Sequence, residues 1–447
     1  MNGPDRMINR RIFFRLAGMG VAGCFVSPLD LSAQDGPVYQ SPAMMLNTAK
    51  NVIFILLAGA PSQTDTFDLR VGPWTPQDFR PTTINGIDFP EGLMPAIASQ
   101  LSRIAIVRSC LSTALVHSLL QTWTQAARSP TSATGKIAPN IGSIVALELE
   151  PKRTPKQKLP GFVALNSTAS LARQGYLPGR YSPFDVTPGA NGLANIASPD
   201  GEDAFRQQLV ALEAVERGGI QRTDFDVLRD FYSSARSIMY DPAVTAAFRF
   251  SNVEGRRYGN SAFGNSCLVA RNLLSADLGT HYIQITLGGW DNHQAIYTPN
   301  GGIYTPSRQL DSALASLIAD LATMSGSNGT TLLDETLIVV KGEFGRTVGG
   351  LTDLNGRDHY FVHSALFVGG GVRGGTVLGS TTAEGEFIDD PGWSEGRGVT
   401  AEDVATTIYS ALGINYTTVR RDDPLGRGFE YIPSTNAWTA APIRDLF

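Results

Sequence analysis

The sequence predicts an α/β protein whose central sheet is mostly parallel and is covered by helices on both faces. The first observation is a set of short segments that are apolar at nearly every position, such as residues 51–58, 281–287 and 336–340. Strands buried on both faces have such continuous apolar runs, whereas strands with one wet face alternate. The second observation is that amphipathic helical patterns lie between these segments. Strands that alternate with helices are typical of parallel sheets, because the helices provide the crossover connections.

The individual elements follow from periodicity and from residues that end helices or strands. Strands are predicted at residues 51–58, 104–107, 281–287, 336–340 and 365–368. Helices are predicted at residues 139–149, 203–217, 225–248 (one or two helices, with a break near Pro242), 265–274, 310–321 and 400–412. Thr400 with Asp403 three positions later has the pattern of a capping box. A single domain is therefore expected over residues 48–440, in which residues 151–275 form a helical and loop insertion.

Composition and charge limit the kinds of partner. Of the 447 residues, 42% are apolar and 17% are charged, which describes a folded globular chain rather than a disordered one. The net charge is −5 and the basic residues form no cluster, which argues against nucleic acid as a partner. No apolar run after the N-terminal region reaches the roughly 20 residues of a membrane-spanning helix, so no transmembrane segment is expected in the mature chain. Cys110 and Cys267 allow one disulfide or two separately buried thiols.

The first 33 residues are predicted to be a twin-arginine signal peptide, and an amphipathic N-terminal helix is the alternative. Arg10-Arg11 precede an aliphatic and aromatic stretch, and the apolar run that follows, residues 16–26, is too short to span a membrane. Cleavage after Ala33 would release a soluble protein. Residues 21–24 instead resemble a lipobox, in which Cys24 would carry a lipid anchor. The expected location is periplasmic or secreted, with the twin-arginine export machinery as a partner.

Polar residues gather directly beside the predicted strands. In open α/β sheets, functional groups lie where the strands end at their carboxyl edge. Carboxylates, histidines and arginines occupy these segments, namely Asp65, Asp291, His293, Glu343, Arg346, Arg357, Asp358, His359 and, close behind, His363. The chain has only five histidines; His117 lies in another segment after a strand, and His281 lies at a strand start. This concentration of histidines predicts a shared polar site.

Two short motifs carry metal-ligand residue types. In Asp291-x-His293, a carboxylate oxygen and an imidazole on one turn can reach a common ion, and Asp358-His359 places the same two types side by side. Carboxylate with imidazole suits zinc, manganese or iron, whereas an all-oxygen set favours calcium or magnesium. Either pair alone could equally be an ordinary loop turn.

The arginines and a glycine-rich segment complete the motifs. Arg346 and Arg357 offer planar donors for a phosphate, sulfate or carboxylate group. Glu343 and Arg346 could instead form an ion pair within their loop. Residues 369–375 (GGGVRGG) follow a strand, but no helix begins after them, so a turn between strands is predicted rather than a phosphate-binding loop.

Taken together, these segments resemble the exported bacterial family catalogued as domain of unknown function 1501. The matching segments are residues 60–68 (APSQTDTFD), 288–293 (GGWDNH), 342–347 (GEFGRT), 356–359 (GRDH) and 369–375, within a resemblance that covers roughly residues 50–415. That family is similar to the alkaline phosphatase and sulfatase superfamily. The likeness implies a three-layer α/β/α sandwich with a metal site at the carboxyl edge of the sheet.

The superfamily's metal ligands can be carried over by position. Asp65 (or Asp68) would match the first aspartate, Asp291 and His293 the second element, and His359 the final histidine. The third element departs from the pattern, because Glu343-Phe344 stands where the superfamily has Asp-His. The nucleophile has several candidates but no decisive motif, namely Ser62, Thr64, Thr66 and Ser118. Cys110 lacks the sequence context of a sulfatase cysteine.

The resemblance implies a metal-dependent hydrolase of phosphate or sulfate esters that uses a divalent ion such as zinc, manganese or calcium. The expected metal ligands are Asp65, Asp291, His293, Glu343 and His359, with Asp358 in support. The expected catalytic residues are Thr64, Thr66, Arg346 and Arg357, where an arginine would stabilise charge on the non-bridging oxygens. The missing histidine and the missing nucleophile motif favour the alternative, an exported binding or assembly protein on the same scaffold.

Overall fold

The computed structural model of the protein describes residues 43, 45–167, 171–193, 198–216, 238–434 and 439–447. The predicted signal peptide, including Cys24 and Ala33, lies outside these residues. The first part of the predicted helical segment 225–248 also lies outside them. Among the described residues, no helix is both long enough and apolar enough to cross a membrane.

An eight-stranded sheet forms the centre of the protein. Its strands are β1 (Asn51–Leu57), β2 (Ile104–Leu111), β3 (Phe162–Leu165), β4 (Phe184–Val186), β5 (Tyr282–Leu287), β6 (Thr336–Lys341), β7 (Val362–Val368) and β8 (Thr376–Leu378). They lie in the order β8-β2-β7-β6-β1-β5-β3-β4. All neighbouring pairs are parallel except the two that involve β7. The predicted mostly parallel α/β sheet is therefore confirmed.

Nine α-helices are present in the described part of the chain. They are α1 (Pro95–Ala98), α2 (His117–Ala126), α3 (Ile141–Leu149), α4 (Gly201–Glu216), α5 (Pro242–Ala247), α6 (Asn252–Arg257), α7 (Ala262–Ala276), α8 (Tyr304–Leu321) and α9 (Ala401–Ala411). Thr400 and Asp403 form the predicted capping box at the start of α9. The structure adds the helices α1, α2 and α6 and the strands β3, β4 and β8, which the periodicity did not indicate. Strands β3 and β4 lie within residues 151–275, so this segment contributes to the sheet as well as to helices and loops.

The core consists of two apolar layers, one on each face of the sheet. Along β1, Ile53 and Ile55 belong to one buried cluster, which includes residues of α7 and α8. Val52 and Phe54 belong to the other cluster, which includes residues of α3 and α9. The continuous apolar sequence of β1 is thus explained, because its side chains alternate between two buried faces.

The two cysteines of the described chain are buried free thiols. Cys110 and Cys267 belong to the two different core clusters, on opposite faces of the sheet. The predicted alternative of two separately buried thiols is therefore the one observed. Burial raises the pKa of both thiols, that of Cys110 to about 12.

Short two-stranded ribbons lie outside the main sheet. They pair Pro81–Ile84 with Ile87–Pro90, Gly345–Arg346 with His359–Tyr360, Ser380–Thr381 with Ile388–Asp390, and Val419–Arg420 with Phe429–Glu430. Residues 369–375 connect β7 to β8, as the prediction of a turn between strands requires. The ribbon that contains Arg346 and His359 lies between the end of β6 and the start of β7, and it positions the site described next.

Candidate metal centre

Five chain segments meet at one edge of the sheet. Strands β5 and β6 pair with β1 on its two sides, so all three parallel strands end at the same edge. Strand β7 pairs antiparallel to β6, and it therefore begins at the edge where β6 ends. Strand β2 also pairs antiparallel to β7, so it ends at this edge, and α2 with His117 follows it. The segments that follow β1, β2, β5 and β6 and the segment that precedes β7 are consequently brought together. This is the edge at which the sequence predicted a polar site.

Four side chains converge at this edge, namely His117, Asp291, His293 and His359. Nε2 of His293 lies 3.0 Å from Nε2 of His359 and 3.0 Å from Oδ1 of Asp291. The same Oδ1 lies 3.2 Å from Nε2 of His117 and 3.9 Å from Nε2 of His359. One ligand atom from each residue lies within 4.8 Å of every other. We refer to these four residues as the histidine cluster.

The second ring nitrogen of each cluster histidine contacts an oxygen acceptor. Nδ1 of His117 lies 2.7 Å from Oε1 of Glu343. Nδ1 of His293 lies 2.8 Å from Oδ1 of Asp358. Nδ1 of His359 lies 2.8 Å from the carbonyl oxygen of Leu115. Carboxylate and carbonyl oxygens accept hydrogen bonds, so these contacts favour the tautomer with the proton on Nδ1. The lone pair of each Nε2 then faces the centre of the cluster.

The histidine cluster fits a metal ion. Three nitrogen lone pairs and one carboxylate oxygen repel one another at these separations, and a cation or a shared proton among them removes that repulsion. Three imidazoles and a carboxylate are a donor set that suits zinc, and also manganese or iron. Ligand distances of about 2.0–2.1 Å place tetrahedral ligands about 3.3 Å apart. The separations within the cluster lie on both sides of that value.

The surroundings shift the pKa values of the cluster residues in different directions. The hydrogen bond with Glu343 raises the pKa of His117, although partial burial opposes it. Burial lowers the pKa of His359, and the bond to Leu115 opposes that effect. For Asp291, burial acts to raise the pKa, but the hydrogen bond and charge of Arg346 outweigh it, so the pKa is lowered. Asp291 is therefore held as a carboxylate.

Arg346 is buried directly beside the histidine cluster. Its Nη2 lies 2.5 Å from Oδ1 of Asp291, and its Nη1 lies 3.3 Å from Nε2 of His293. The guanidinium also donates to three backbone carbonyls, those of Gly59, Ala60 and Arg357. Arg346 is only 1% exposed. It therefore orients Asp291 from within the protein instead of presenting an open face to solvent.

The structure places Asp65 and Arg357 in a buried ion pair outside the histidine cluster. Nε of Arg357 lies 2.6 Å from Oδ2 of Asp65, and the Tyr297 hydroxyl donates to Oδ1 at 2.7 Å. Arg357 also donates to the carbonyls of Thr347 and Gly349. The ion pair fastens the segment that carries Asp358 and His359 to the segment after β1. Both residues thus support the site without joining its converging atoms.

The neighbouring hydroxyl and amide side chains also serve the scaffold. Thr64 and Thr66 are fully buried, and the Thr66 hydroxyl donates to the carbonyl of Ser62 at 2.7 Å. The Gln63 amide makes two hydrogen bonds of 2.8 Å with the backbone of Arg346. Segment 62–66 therefore anchors the ribbon that carries Arg346. Of the other candidates, Asp68 binds Arg70 and Thr381, and Ser118 is exposed beside His117.

His117 supplies the imidazole that the sequence motifs lacked. The prediction placed a carboxylate and no histidine at Glu343-Phe344, and it did not include His117 among the ligands. In the structure, the Phe344 ring packs against two cluster histidines, with centroids 4.6 Å from His117 and 4.5 Å from His359. Glu343 contacts Nδ1 of His117 and is not itself among the four converging residues. The signal available in the sequence was that His117, one of five histidines, follows a predicted strand.

The fold and this site together define an α/β protein with a candidate metal centre at the carboxyl edge of its sheet. The chain belongs to the family described as protein of unknown function, DUF1501, whose model matches residues 49–431. No curated protein matches the sequence.

Several solved structures are similar to this chain. Ps i-CgsB in complex with k-i-k-neocarrahexaose is 11% identical, with a TM-score of 0.40, over 87% of this chain and 75% of that chain. A putative sulfatase from Bacteroides thetaiotaomicron is 11% identical, with a TM-score of 0.38, over 84% and 73%. A protein in the alkaline phosphatase superfamily from Vibrio parahaemolyticus is 12% identical, with a TM-score of 0.35, over 83% and 68%. At these values the likeness says nothing about activity.

Proposed function

We propose that this protein is an exported, metal-dependent hydrolase of phosphate or sulfate esters. The observation that carries the proposal is the histidine cluster, in which three Nε2 atoms and one carboxylate oxygen face a common point while an acceptor holds each Nδ1. Metal-binding histidines in proteins are oriented in this way by a second hydrogen bond. Substrate class, metal and turnover are all part of the proposal.

The exposure of the histidine cluster suits a reaction with a ligand from solvent. The side chains of Asp291 and His293 are 49% and 41% exposed, whereas those of His117 and His359 are about half as exposed. A bound divalent metal would supply a Lewis acid that polarises an ester oxygen and lowers the pKa of a water molecule. The protein's own contribution is to hold the ligand atoms in place through Glu343, Asp358 and Arg346.

We favour zinc or manganese over calcium in this proposal. Calcium takes oxygen ligands, usually six to eight of them. The histidine cluster offers three nitrogens and one oxygen, which is a set that zinc binds readily. Among the four ligands, only Asp291 has the chemistry that calcium prefers.

A second candidate is a non-catalytic binding or assembly protein that uses the same metal site. Its support is the burial of Thr64, Thr66, Arg346 and Arg357, whose side chains are engaged with the scaffold. None of these groups presents a free hydroxyl or guanidinium to a substrate in this arrangement. A hydrolase built on this site would therefore use a water molecule or the exposed Ser118 as its nucleophile.

Metal binding is tested by removing the ligands singly. We expect His117→Ala, Asp291→Ala and His293→Ala each to abolish binding of zinc or manganese, measured by elemental analysis after dialysis. His281→Ala is the matched control, because His281 lies at the start of β5 and bonds to Lys50 and Asn51 instead of the cluster. Unchanged metal content in the Asp291 and His293 variants would show that the ligand set is wrong.

Turnover separates the two candidates. The metal-loaded protein is assayed with an aryl phosphate and an aryl sulfate in the presence of zinc, manganese or calcium. Hydrolysis that disappears in His293→Ala and persists in His281→Ala supports the hydrolase. Tight metal binding without turnover of either ester with any ion favours the binding protein.

The export and the location remain part of the proposal. Their support is the sequence of residues 1–33, with its arginine pair and short apolar run. Twin-arginine export suits a protein that folds around a metal, because proteins using this pathway cross the membrane already folded. Whether Cys24 carries a lipid or the chain is released after Ala33 stays open in this proposal.

A further inference from the structure

Glu343 is the buried end of a chain of contacts that leads to the histidine cluster. Its Oε1 accepts three hydrogen bonds, from Nδ1 of His117 at 2.7 Å, from Nε2 of Gln121 at 2.9 Å and from the backbone N–H of Gly59 at 2.9 Å. Its Oε2 is buried and has no hydrogen-bond partner among the described residues. One oxygen is thus fully engaged while the other lacks a donor, which is unfavourable for a buried carboxylate.

A buried lysine lies close to Glu343 in the sequence and in the fold. Lys341 is the last residue of β6 and is 3% exposed. Its Nζ has one hydrogen bond, a long contact of 3.4 Å to Oγ1 of Thr124. Within the described part of the chain, Lys341 forms no ion pair with a carboxylate at 4.0 Å or less. A buried ammonium group with so few partners is also unfavourable.

Lys341 and Glu343 line the same small cavity. Its volume is about 10 Å³, and its lining includes Ser112, Thr124 and Glu402. That volume is close to the minimum that a single water molecule needs, and the lining offers several polar partners. One water molecule there could accept from Nζ of Lys341 and donate to Oε2 of Glu343.

Glu402 is the competing partner for Lys341. It lines the same cavity, but its Oε1 already accepts a hydrogen bond of 2.6 Å from Nε1 of Trp123. Burial raises the pKa of Glu402, which favours its neutral form. The carboxylate oxygen without a donor belongs to Glu343, so the charge of Lys341 is better matched to Glu343 than to Glu402.

We propose that Lys341 is a positioning residue of the metal centre, which balances the charge of Glu343 through a water molecule in this cavity and thereby orients His117. This inference rests on the proposed metal site and adds to it. The contacts run from Lys341 through the water molecule to Glu343, and from Glu343 to His117 in the histidine cluster. Lys341 touches neither metal nor substrate; it keeps Glu343 as the acceptor that holds the His117 proton on Nδ1.

The test compares single and double variants. We expect Lys341→Met to weaken zinc binding about tenfold, in the range usual for residues that support metal-ligating histidines. Glu343→Gln should weaken it by a similar factor, and the double variant should bind no more weakly than Glu343→Gln alone, because both changes interrupt the same chain. Metal affinity is measured by competition with a chelator. Lys341→Gln, which is neutral but polar, serves if the methionine variant does not fold.

Two controls distinguish this role from general structural support. Glu402→Gln, at a residue that lines the same cavity but lies outside the proposed chain, should leave the metal affinity and the His117 tautomer unchanged. In the metal-free protein, the ¹⁵N chemical shifts of the His117 ring should report a proton on Nδ1, and Lys341→Met should move that proton partly to Nε2. The ring readout needs no metal, so it remains informative even if the native protein binds none and the proposed function fails.

The inference is overturned by either of two results in a folded Lys341→Met variant. One is a metal affinity and a His117 tautomer that match the native protein. The other is a strictly additive loss with Glu343→Gln, which would show that the two residues act independently.

Discussion

The orientation of single side chains decides what this site can bind. His117, His293 and His359 direct Nε2 toward one another because Glu343, Asp358 and the Leu115 carbonyl hold their other nitrogens. A histidine without such an acceptor could rotate and present either nitrogen. The hydrogen-bond acceptors therefore determine that the three Nε2 atoms face one another, which is what makes this group of side chains a candidate metal centre.

Asp65 provides a prediction at the scale of a residue. Asp65→Asn would leave the buried guanidinium of Arg357 without its counter-charge, and breaking a buried ion pair by removing one partner costs about 3–5 kcal/mol. We expect that loss in the free energy of unfolding, measured by urea denaturation. Asp203→Asn is the control, because the Asp203–Arg206 pair is exposed. Exposed pairs contribute about 0–1 kcal/mol. Equal losses in the two variants would contradict the role assigned to Asp65.

The structure places the predicted site residues in different surroundings, for identifiable reasons at this scale. Asp291 and His293 could be predicted as a pair, because only Asn292 separates them and one turn brings their side chains together. Asp65 was expected to bind metal, yet a carboxylate after a strand can serve an arginine or an ion equally well. Its partner Arg357 lies 292 positions away, and only the folded chain brings the two together.

At the scale of elements, the ribbon between β6 and β7 carries much of the site. It pairs His359 with Arg346 and so places a cluster histidine beside the arginine that orients Asp291. The loop that joins the two strands of the ribbon packs closely against the loop after β5, since the backbone N–H of Arg357 donates to the carbonyl of Asn292 at 3.0 Å. The direction of β7 makes this possible, because an antiparallel strand begins where its neighbours end.

Gly356 tests that close approach. A Cβ atom at Gly356 would come within 2.0 Å of the carbonyl carbon and oxygen of His293, which are backbone atoms that cannot yield easily. We expect Gly356→Ala to separate the two segments, weakening zinc affinity at least tenfold and lowering the thermal unfolding temperature. Gly350→Ala is the matched control, since a Cβ there meets nothing within 4 Å. Metal affinity equal to that of the control would show that the two segments need not approach so closely.

At the scale of the whole molecule, the buried polar groups around β6 and β7 link folding to pH. His363 lies in β7, and burial lowers its pKa to about 3, with the charge of Lys341 acting in the same direction. The unfolded chain has the ordinary histidine pKa of about 6.5. Between these values, the unfolded state takes up a proton that the folded state does not. Stability attributable to His363 is therefore constant above pH 6.5 and declines as the pH falls toward 3.

The pH effect is measured by urea denaturation at pH 7, 6, 5 and 4. We expect the native protein to lose up to about 1.4 kcal/mol per pH unit more than His363→Gln, the slope that one additional bound proton produces. Because both proteins share every other titrating group, the difference isolates His363. Parallel pH profiles would contradict the prediction.

The sequence by itself determined the class of fold and the edge at which the site lies. Burial on both faces of the sheet requires strands that are apolar at every position. Parallel strands place the polar segments that follow them at one edge of the sheet. The fold class and this edge can therefore both be predicted from local sequence patterns. Only the tertiary structure decided that His117 joins Asp291, His293 and His359, that Phe344 packs against two of these histidines, and that Asp65 binds Arg357. These choices depend on distances between residues that are far apart in the chain. The contact of His117 with Glu343, for example, spans 226 positions and forms only once β2, β6 and α2 have packed.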